Sequence, residues 1–399
     1  MRAGLLPRRP VTASTSDVFP IVAVATRDPL DHRTFSGFSR HLFNAVQDVG
    51  HRVVPIATRD LRWYDALTGA VAPLGLLPGR RGDRRRPVVR PDWYWSRGGF
   101  ERFGRRFDAR LAEQPVPRVV VQIGTHVRSR LPGTTSYCIT DATIPQAVRA
   151  GEFSVSFASG HVLAEAIECQ AEVFASCRKV FVLSEWARSS VLSDYGLPAD
   201  RVVVLGAGAN VERTLPRKVD TARPFILFVG ADWKQKGGPL LLEAFRIARL
   251  QVPELRLVVV GCAPRLDVPG VEVLGFLSRA DPVAHQRLLE LYASATCFSI
   301  VPPFDAFPNV LLEAALFGVP VISTREGSRP EAVIHGETGL LAERRAPDEL
   351  AALVLRVVAD PQEGARLGEA ARRRATSWYT WPLVARRLLA EVAPVGGAE

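Results

Sequence analysis

Two acids and two lysines are the residues of this chain whose types and spacing could do chemistry. Asp305 and Glu313 stand eight positions apart in Phe304-Asp305-Ala306-Phe307-Pro308-Asn309-Val310-Leu311-Leu312-Glu313-Ala314-Ala315-Leu316-Phe317-Gly318. The run reads as a loop, then a helix of about ten residues, then a buried strand over 319–323. Pro308 suits the first helical turn, where its missing N–H costs nothing, and Gly318 suits the left-handed residue just past the helix end. Asp305 then falls in the loop and Glu313 about one turn into the helix, so both flank the helix N-terminus. Unpaired N–H groups and a partial positive charge make that end a seat for phosphate. A phosphate seat between two carboxylates suits a ligand that is part anion and part polyol, as a sugar nucleotide is. The plainer reading is a capping acid and a solvated helix acid.

The lysines make the second constellation. Net charge is +10, yet the chain has only four lysines, Lys179, Lys218, Lys234 and Lys236, and writes its other cations as arginine. Two of the four fall in Gly230-Ala231-Asp232-Trp233-Lys234-Gln235-Lys236-Gly237-Gly238-Pro239. A lysine is a compact point charge that can approach a phosphate oxygen, and paired glycines let backbone crowd in beside it. The helix that follows aims its N-terminus at the same place. No Walker A or Gly-x-Gly-x-x-Gly run occurs, which disfavours a P-loop NTPase or a dehydrogenase. No Asp-x-Asp pair is present of the kind that would hold a divalent metal on a sugar diphosphate, so no metal is expected.

The elements that must position these groups alternate between strand and helix. Ile21–Ala25 leads through Thr34-Phe35-Ser36-Gly37 into a helix over 41–49, then Val53–Ala57. Gly37, where loop meets helix, is a place for a ligand phosphate or sugar to approach backbone, with a plain turn as the alternative. Further strands are expected over 119–123, 137–140, 180–183 and 201–205. His126 and Asp141 lie just past strand ends, where an open α/β sheet binds ligands, so both are candidate acceptor or sugar contacts; a merely exposed loop histidine is the alternative for His126. After a polar linker come strands over Phe225–Val229, 255–260, 271–274, 297–301, 319–323 and 340–342. The pattern over 399 residues gives two doubly wound α/β domains.

Composition bounds the rest. Hydrophobic residues make up 47%, enough for two cores, and no apolar run approaches the roughly 20 residues of a membrane span. The first eighteen residues hold no apolar stretch long enough for a secretory signal and read as a disordered tail. Five cysteines without a C-x-x-C pair fit a reducing cytoplasm and no structural zinc. Arg80-Arg81-Gly82-Asp83-Arg84-Arg85-Arg86, followed by Arg90, Arg97, Arg102, Arg105 and Arg106, could meet anionic headgroups at the inner membrane face or an acidic acceptor. A solvated loop is the alternative. No motif accompanies this charge that would make nucleic acid a partner.

The lysine loop with Leu241-Leu242-Glu243-Ala244-Phe245, the stretch Asp305–Glu313 with Gly318-Val319-Pro320-Val321, and Gly336-Glu337-Thr338-Gly339-Leu340-Leu341 resemble the retaining GT-B glycosyltransferases of family 4. So do Ser184-Glu185-Trp186 before Tyr195-Gly196, and Gly208-Ala209-Asn210. The resemblance runs over about residues 20–390 and is most specific in the second half. It implies a GT-B fold whose two Rossmann-like domains face a cleft: a tail 1–18, an acceptor domain 19–212, a linker 213–223, a nucleotide-sugar domain 224–380, and a C-terminal helix 381–399 packing back on the first domain. It also implies sugar transfer from a UDP- or GDP-type donor, without a further cofactor, to an unidentified polysaccharide, lipid-linked glycan or small-molecule acceptor. A sugar-phosphate synthase or phosphorylase, or an inactive sugar-nucleotide-binding protein, is the alternative on the same fold. By position, Asp305 would contact the donor sugar, Glu313 the ribose, and Lys236 the diphosphate, with Lys234, Phe307, Pro308 and Asn309 as further donor contacts. Three departures stand out: Asp305 replaces the family's glutamate, Ala231 its usual arginine, and Gly327-Ser328-Arg329-Pro330 its glycine-rich loop. Lys234 is the candidate for the cation missing at Ala231.

Overall fold

The computed structural model describes residues 19–31, 34–58, 95–151 and 160–392, so the expected tail and the arginine run 80–90 lie outside the described residues. The chain divides into two compact units. One holds Gly206–Val384 with Ser184–Trp186; the other holds the described residues up to Leu183, then Ala187–Leu205 and the chain from Ala385.

The N-terminal unit is built on strands β1 (Ile21–Ala25), β2 (Val53–Ala57), β3 (Arg118–Ile123), β4 (Thr134–Thr140), β5 (Lys179–Val182) and β6 (Val202–Val204). They form one parallel sheet in the order β2-β1-β3-β4-β5-β6. β1 reads Ile-Val-Ala-Val-Ala and is buried along its whole length, as expected for a strand covered on both faces. β4 starts at Thr134, three residues before the expected start, because Arg118–Ile123 pairs with it from that residue on.

The helix Arg97–Leu111 was not among the elements expected from the sequence. Ser96 Oγ accepts a hydrogen bond from the Gly99 N–H at 3.2 Å and so caps it. Phe100, Phe103, Phe107 and Leu111 follow helical spacing and are buried, the last three against Val22, Val24, Ile56 and Val120. Arg102 and Arg105 are exposed on the other face. Arg97 is held inside the unit by Glu168 at 3.0 Å and by Glu172, which raise its pKa. In the same unit Lys179 pairs with Glu391 at the end of the helix Trp381–Glu391.

The C-terminal unit repeats the plan with β7 (Phe225–Val229), β8 (Arg256–Val260), β9 (Val271–Gly275), β10 (Cys297–Ser299), β11 (Val321–Thr324) and β12 (Gly339–Ala342). Their order is β12-β11-β10-β7-β8-β9, again all parallel. The helix between β10 and β11 spans Asn309–Leu316. Pro308 stands one position before it rather than in its first turn, since the Pro308 carbonyl already accepts from the Leu311 N–H at 3.0 Å. Gly318 is left-handed with φ 69°, as its place after a helix requires. β11 begins two residues later than expected because the Val319 N–H still closes the helix end on the Ala314 carbonyl at 3.0 Å, and Pro320 has no N–H to give. All five cysteines are buried free thiols. Among the described residues no helix is long and apolar enough to cross a membrane.

Candidate active site

In the C-terminal sheet the strand order reverses between β7 and β10, the place where an open parallel sheet leaves a crevice at its carboxyl edge. The lysine loop leaves β7 at that point. It is wound by three backbone bonds: Lys236 N–H to the Asp232 carbonyl at 3.1 Å, Gly237 to Lys234 at 3.1 Å, and Gly238 to Trp233 at 2.8 Å. Gly237 has φ 77°, and a Cβ there would lie 1.9 Å from the Val301 carbonyl oxygen. A Cβ on Gly238 would lie 2.1 Å from the Trp233 ring. Both positions therefore need glycine, and Gly238 opens the helix Gly238–Gln251. The Val301 N–H donates to the Lys236 carbonyl at 3.1 Å, which ties the loop to the chain leaving β10.

That tie sets Lys236 against Asp305. Lys236 Nζ lies 2.5 Å from Asp305 Oδ2, with the two side chains 26% and 11% exposed. Lys234 is exposed. Phe307 and Pro308 are buried, the Phe307 ring 6.4 Å from that of Tyr379. Asn309 opens the helix, and its Oδ1 is buried with no hydrogen-bond partner among the described residues.

Glu313 is not a solvated helix acid. Its side chain is 2% exposed, and Arg279 Nη2 donates to both its oxygens at 2.8 and 2.7 Å. The buried Tyr292 hydroxyl donates to Oε2 at 2.9 Å. The Glu313 charge raises the Arg279 pKa, and burial followed by that same charge raises the Tyr292 pKa. Arg279 also donates to the Asn210 carbonyl. A carboxylate offers about four lone-pair sites, so about one remains open for a ligand hydroxyl. Arg279 and Tyr292 lie 34 and 21 residues from Glu313 in sequence, and no local spacing announces either.

Glu331 is another acid the sequence pattern did not single out. Its carboxylate accepts from the backbone N–H groups of Glu185 and Trp186 at 2.7 and 2.8 Å, in the stretch grouped with this unit. The Tyr379 hydroxyl donates to the Glu331 carbonyl at 2.9 Å.

Gly37, His126 and Asp141 belong to the N-terminal unit. There the strand order reverses between β1 and β3, and the loops after those strands meet. A Cβ on Gly124 would lie 3.2 Å from His126 Cδ2 and 3.3 Å from Phe35 Cζ. The half-buried His126 ring also lies 5.9 Å from that of Trp95. Gly37 is left-handed at φ 86° and starts the helix Phe38–Asp48, three residues before the expected start. Asp141 is half-buried directly after β4. The sites thus form two groups, Lys236 with Asp305 and Gly37 with His126, each at the switch point of its own sheet.

Residues 214–374 match the family described as Glycosyl transferases group 1. The chain is 28% identical over 232 residues to the MMP alpha-(1->4)-mannosyltransferase of Mycolicibacterium hassiacum, covering 56% of each protein. It is 28% identical over 232 residues to the GDP-mannose-dependent alpha-(1-6)-phosphatidylinositol monomannoside mannosyltransferase of Mycobacterium tuberculosis, covering 52% of this chain and 60% of that protein. These matches thus span little more than half the length of the curated relatives. Among solved structures, sucrose-phosphate synthase from Thermosynechococcus elongatus superposes with a TM-score of 0.67 at 17% identity, over 92% of this chain and 97% of that one. The two six-stranded parallel sheets are those of the GT-B fold, and residues 214–374 are similar to the group 1 glycosyl transferases.

Proposed function

We propose that this chain is a glycosyltransferase that moves a sugar from a nucleotide-diphosphate donor to an acceptor hydroxyl, with retention of configuration and without a metal ion. The observation that carries the reading is the Lys236–Asp305 pair at the switch point, beside a glycine-built helix start. Breaking the bond between the anomeric carbon and the diphosphate leaves negative charge on phosphate and positive charge on the sugar. In this reading Lys236 and the N-terminus of Gly238–Gln251 stabilise the first, and the Asp305 carboxylate the second. The acceptor oxygen then bonds to the anomeric carbon on the face the diphosphate leaves, and its proton passes to the departing phosphate oxygen. That route needs no protein base, so His126 and Asp141 are assigned to binding acceptor or sugar. The family match covers the C-terminal unit, and one relative is named for its dependence on GDP-mannose, which supports a GDP- or UDP-type donor. Contact of the arginine-rich stretch with anionic membrane lipid is part of the proposal, and within that stretch Arg102 and Arg105 are exposed.

A panel of UDP- and GDP-sugars, offered with candidate acceptors and read by product mass spectrometry, tests the reading. One donor should be consumed with release of its nucleoside diphosphate, and NMR should show the donor's anomeric configuration in the product. The same rate in EDTA is expected, because the cations that face the diphosphate are side chains. Loss of activity in chelator, restored by Mn²⁺ or Mg²⁺, would refute metal independence. A folded protein that neither transfers nor hydrolyses any donor of the panel would refute the reading itself.

A further inference from the structure

Arg329 is the largest fully buried side chain among the described residues, with its side chain 0% exposed. It begins the short helix Arg329–Ala332 after β11, in the stretch Gly327-Ser328-Arg329-Pro330. Its Nε donates to the Thr324 carbonyl at 2.9 Å, and its Nη2 donates to Thr324 Oγ1 at 3.0 Å and Glu326 Oε2 at 2.6 Å. Its Nη1 is buried and has no hydrogen-bond partner among the described residues. A buried guanidinium is costly unless its donors are matched, and an unmade bond from a charged donor is among the dearer defects a fold can carry. Glu326 satisfies only the Nη2 side of the fork. Burial lowers the Arg329 pKa, while the charges of Glu326 and then Asp305 favour the cation.

The surroundings connect this unmatched donor to the donor site. β7, β10 and β11 are neighbours in the sheet, and their carboxyl ends carry Lys236, Asp305 and Arg329 in turn. Ser328 Oγ donates to the Ala306 carbonyl at 2.6 Å, which fixes the Arg329 loop on the Asp305 loop. Gly327 lies so close that a Cβ there would stand 3.5 Å from the Asp305 carbonyl oxygen. Asp305 Oδ2 is already taken by Lys236.

Resting on the donor-site reading above, we propose that Arg329 is a ligand-binding residue of that site, its Nη1 donating to an anionic oxygen of the bound donor. That oxygen belongs either to the diphosphate or to a carboxylate on the transferred sugar. With Nε and Nη2 held by Thr324 and Glu326, Nη1 alone serves the ligand, in a charge-assisted bond that the many-donor guanidinium can add to its structural ones and a single ammonium cannot.

The experiment measures affinities of UDP, UMP, GDP and GMP, and of UDP-glucuronate against UDP-glucose, for wild type, R329A and R329K. Loss of a charge-assisted bond should shrink the preference for diphosphate over monophosphate about tenfold or more in R329A. It should shrink that preference several-fold in R329K, whose single ammonium cannot serve Thr324, Glu326 and a ligand at once. If that preference holds while a preference for the uronate disappears, the sugar carboxylate is the partner. Circular dichroism and melting select folded variants, and R329K keeps the test decisive if R329A fails to fold. Equal weakening of mono- and diphosphate, or no change in either preference, would overturn the proposal and leave the donor site standing. A wild-type protein that binds none of these compounds would overturn the donor-site reading, and the role of Arg329 with it.

Discussion

After β1 the chain enters its helix through Phe35, Ser36 and Gly37, all left-handed with φ of 48, 55 and 86°. After β7 it enters its helix through a single left-handed residue, Gly237, with φ 77°. Both loops leave a strand at the switch point of its sheet, so topology gives them the same opportunity. The first places two side-chain-bearing residues where glycine would cost less, at about 1–2 kcal/mol each. It carries no lysine or arginine between Thr34 and Ser39, and it brings Phe35 to Gly124 and His126. The second uses glycine where nothing larger fits, and the close backbone approach lays Lys236 on Asp305. One loop is therefore shaped to present backbone and a ring, as suits a neutral polyol. The other is shaped to present charge, as suits a diphosphate.

The widest separation between the loops should come from removing the charge. Lys236→Ala is expected to lower turnover about 100-fold or more, the scale of losing one transition-state donor. Steady-state kinetics beside circular dichroism checks this, and near-wild-type activity in a folded variant would refute the assignment. Next comes the cost of a methyl group. Gly237→Ala must move the Val301 carbonyl and still hold a left-handed residue, so a loss on the order of 3 kcal/mol in stability is expected. Gly37→Ala carries the penalty of a left-handed alanine, about 1 kcal/mol. Urea unfolding of the two variants compares them directly. Equal losses would mean that the close approach at Val301 does not set the shape of the lysine loop.

The strands were readable because each is a short run of Val, Ile, Leu and Phe bounded by glycine, proline or charge, the pattern of a strand buried on both faces. The lysine loop was readable for a different reason. A rare residue beside paired glycines at a helix start has few structural explanations. What stayed hidden depends on distance or on competing signals. Arg279 and Tyr292 reach Glu313 from an earlier helix region, so only the fold joins them. Helix Arg97–Leu111 was masked by its own arginines, which drew attention to charge while Phe100, Phe103, Phe107 and Leu111 carried the helical period. Arg329 looked like a departure from a glycine-rich loop; its burial and its unmatched Nη1 belong to the three-dimensional packing alone.

The smallest effect should sharpen the comparison most, because it runs in two directions at once. Asp305 neutralises Lys236 at 2.5 Å, so an arriving diphosphate must share the ammonium with a carboxylate that also repels it. The described stretch Thr34–Ser39 of the N-terminal loop carries no ionisable side chain, and nothing comparable is expected there. Asp305→Asn removes the repulsion and frees the lysine. Free nucleoside diphosphate should then bind about two- to fivefold tighter, the scale of a partly exposed charge interaction. The gain should shrink with added salt. Turnover of the sugar donor should fall in the same variant, since the side chain placed at the reacting sugar no longer carries charge when bond breaking needs it. Asp305→Glu restores the charge and should bring the diphosphate affinity back toward wild type. Calorimetry with the free diphosphate and kinetics with the donor, on the same three proteins, separate the two effects. If Asp305→Asn weakens the free diphosphate, the carboxylate orients Lys236 rather than competing for it, and the account of a poised, internally neutralised lysine falls.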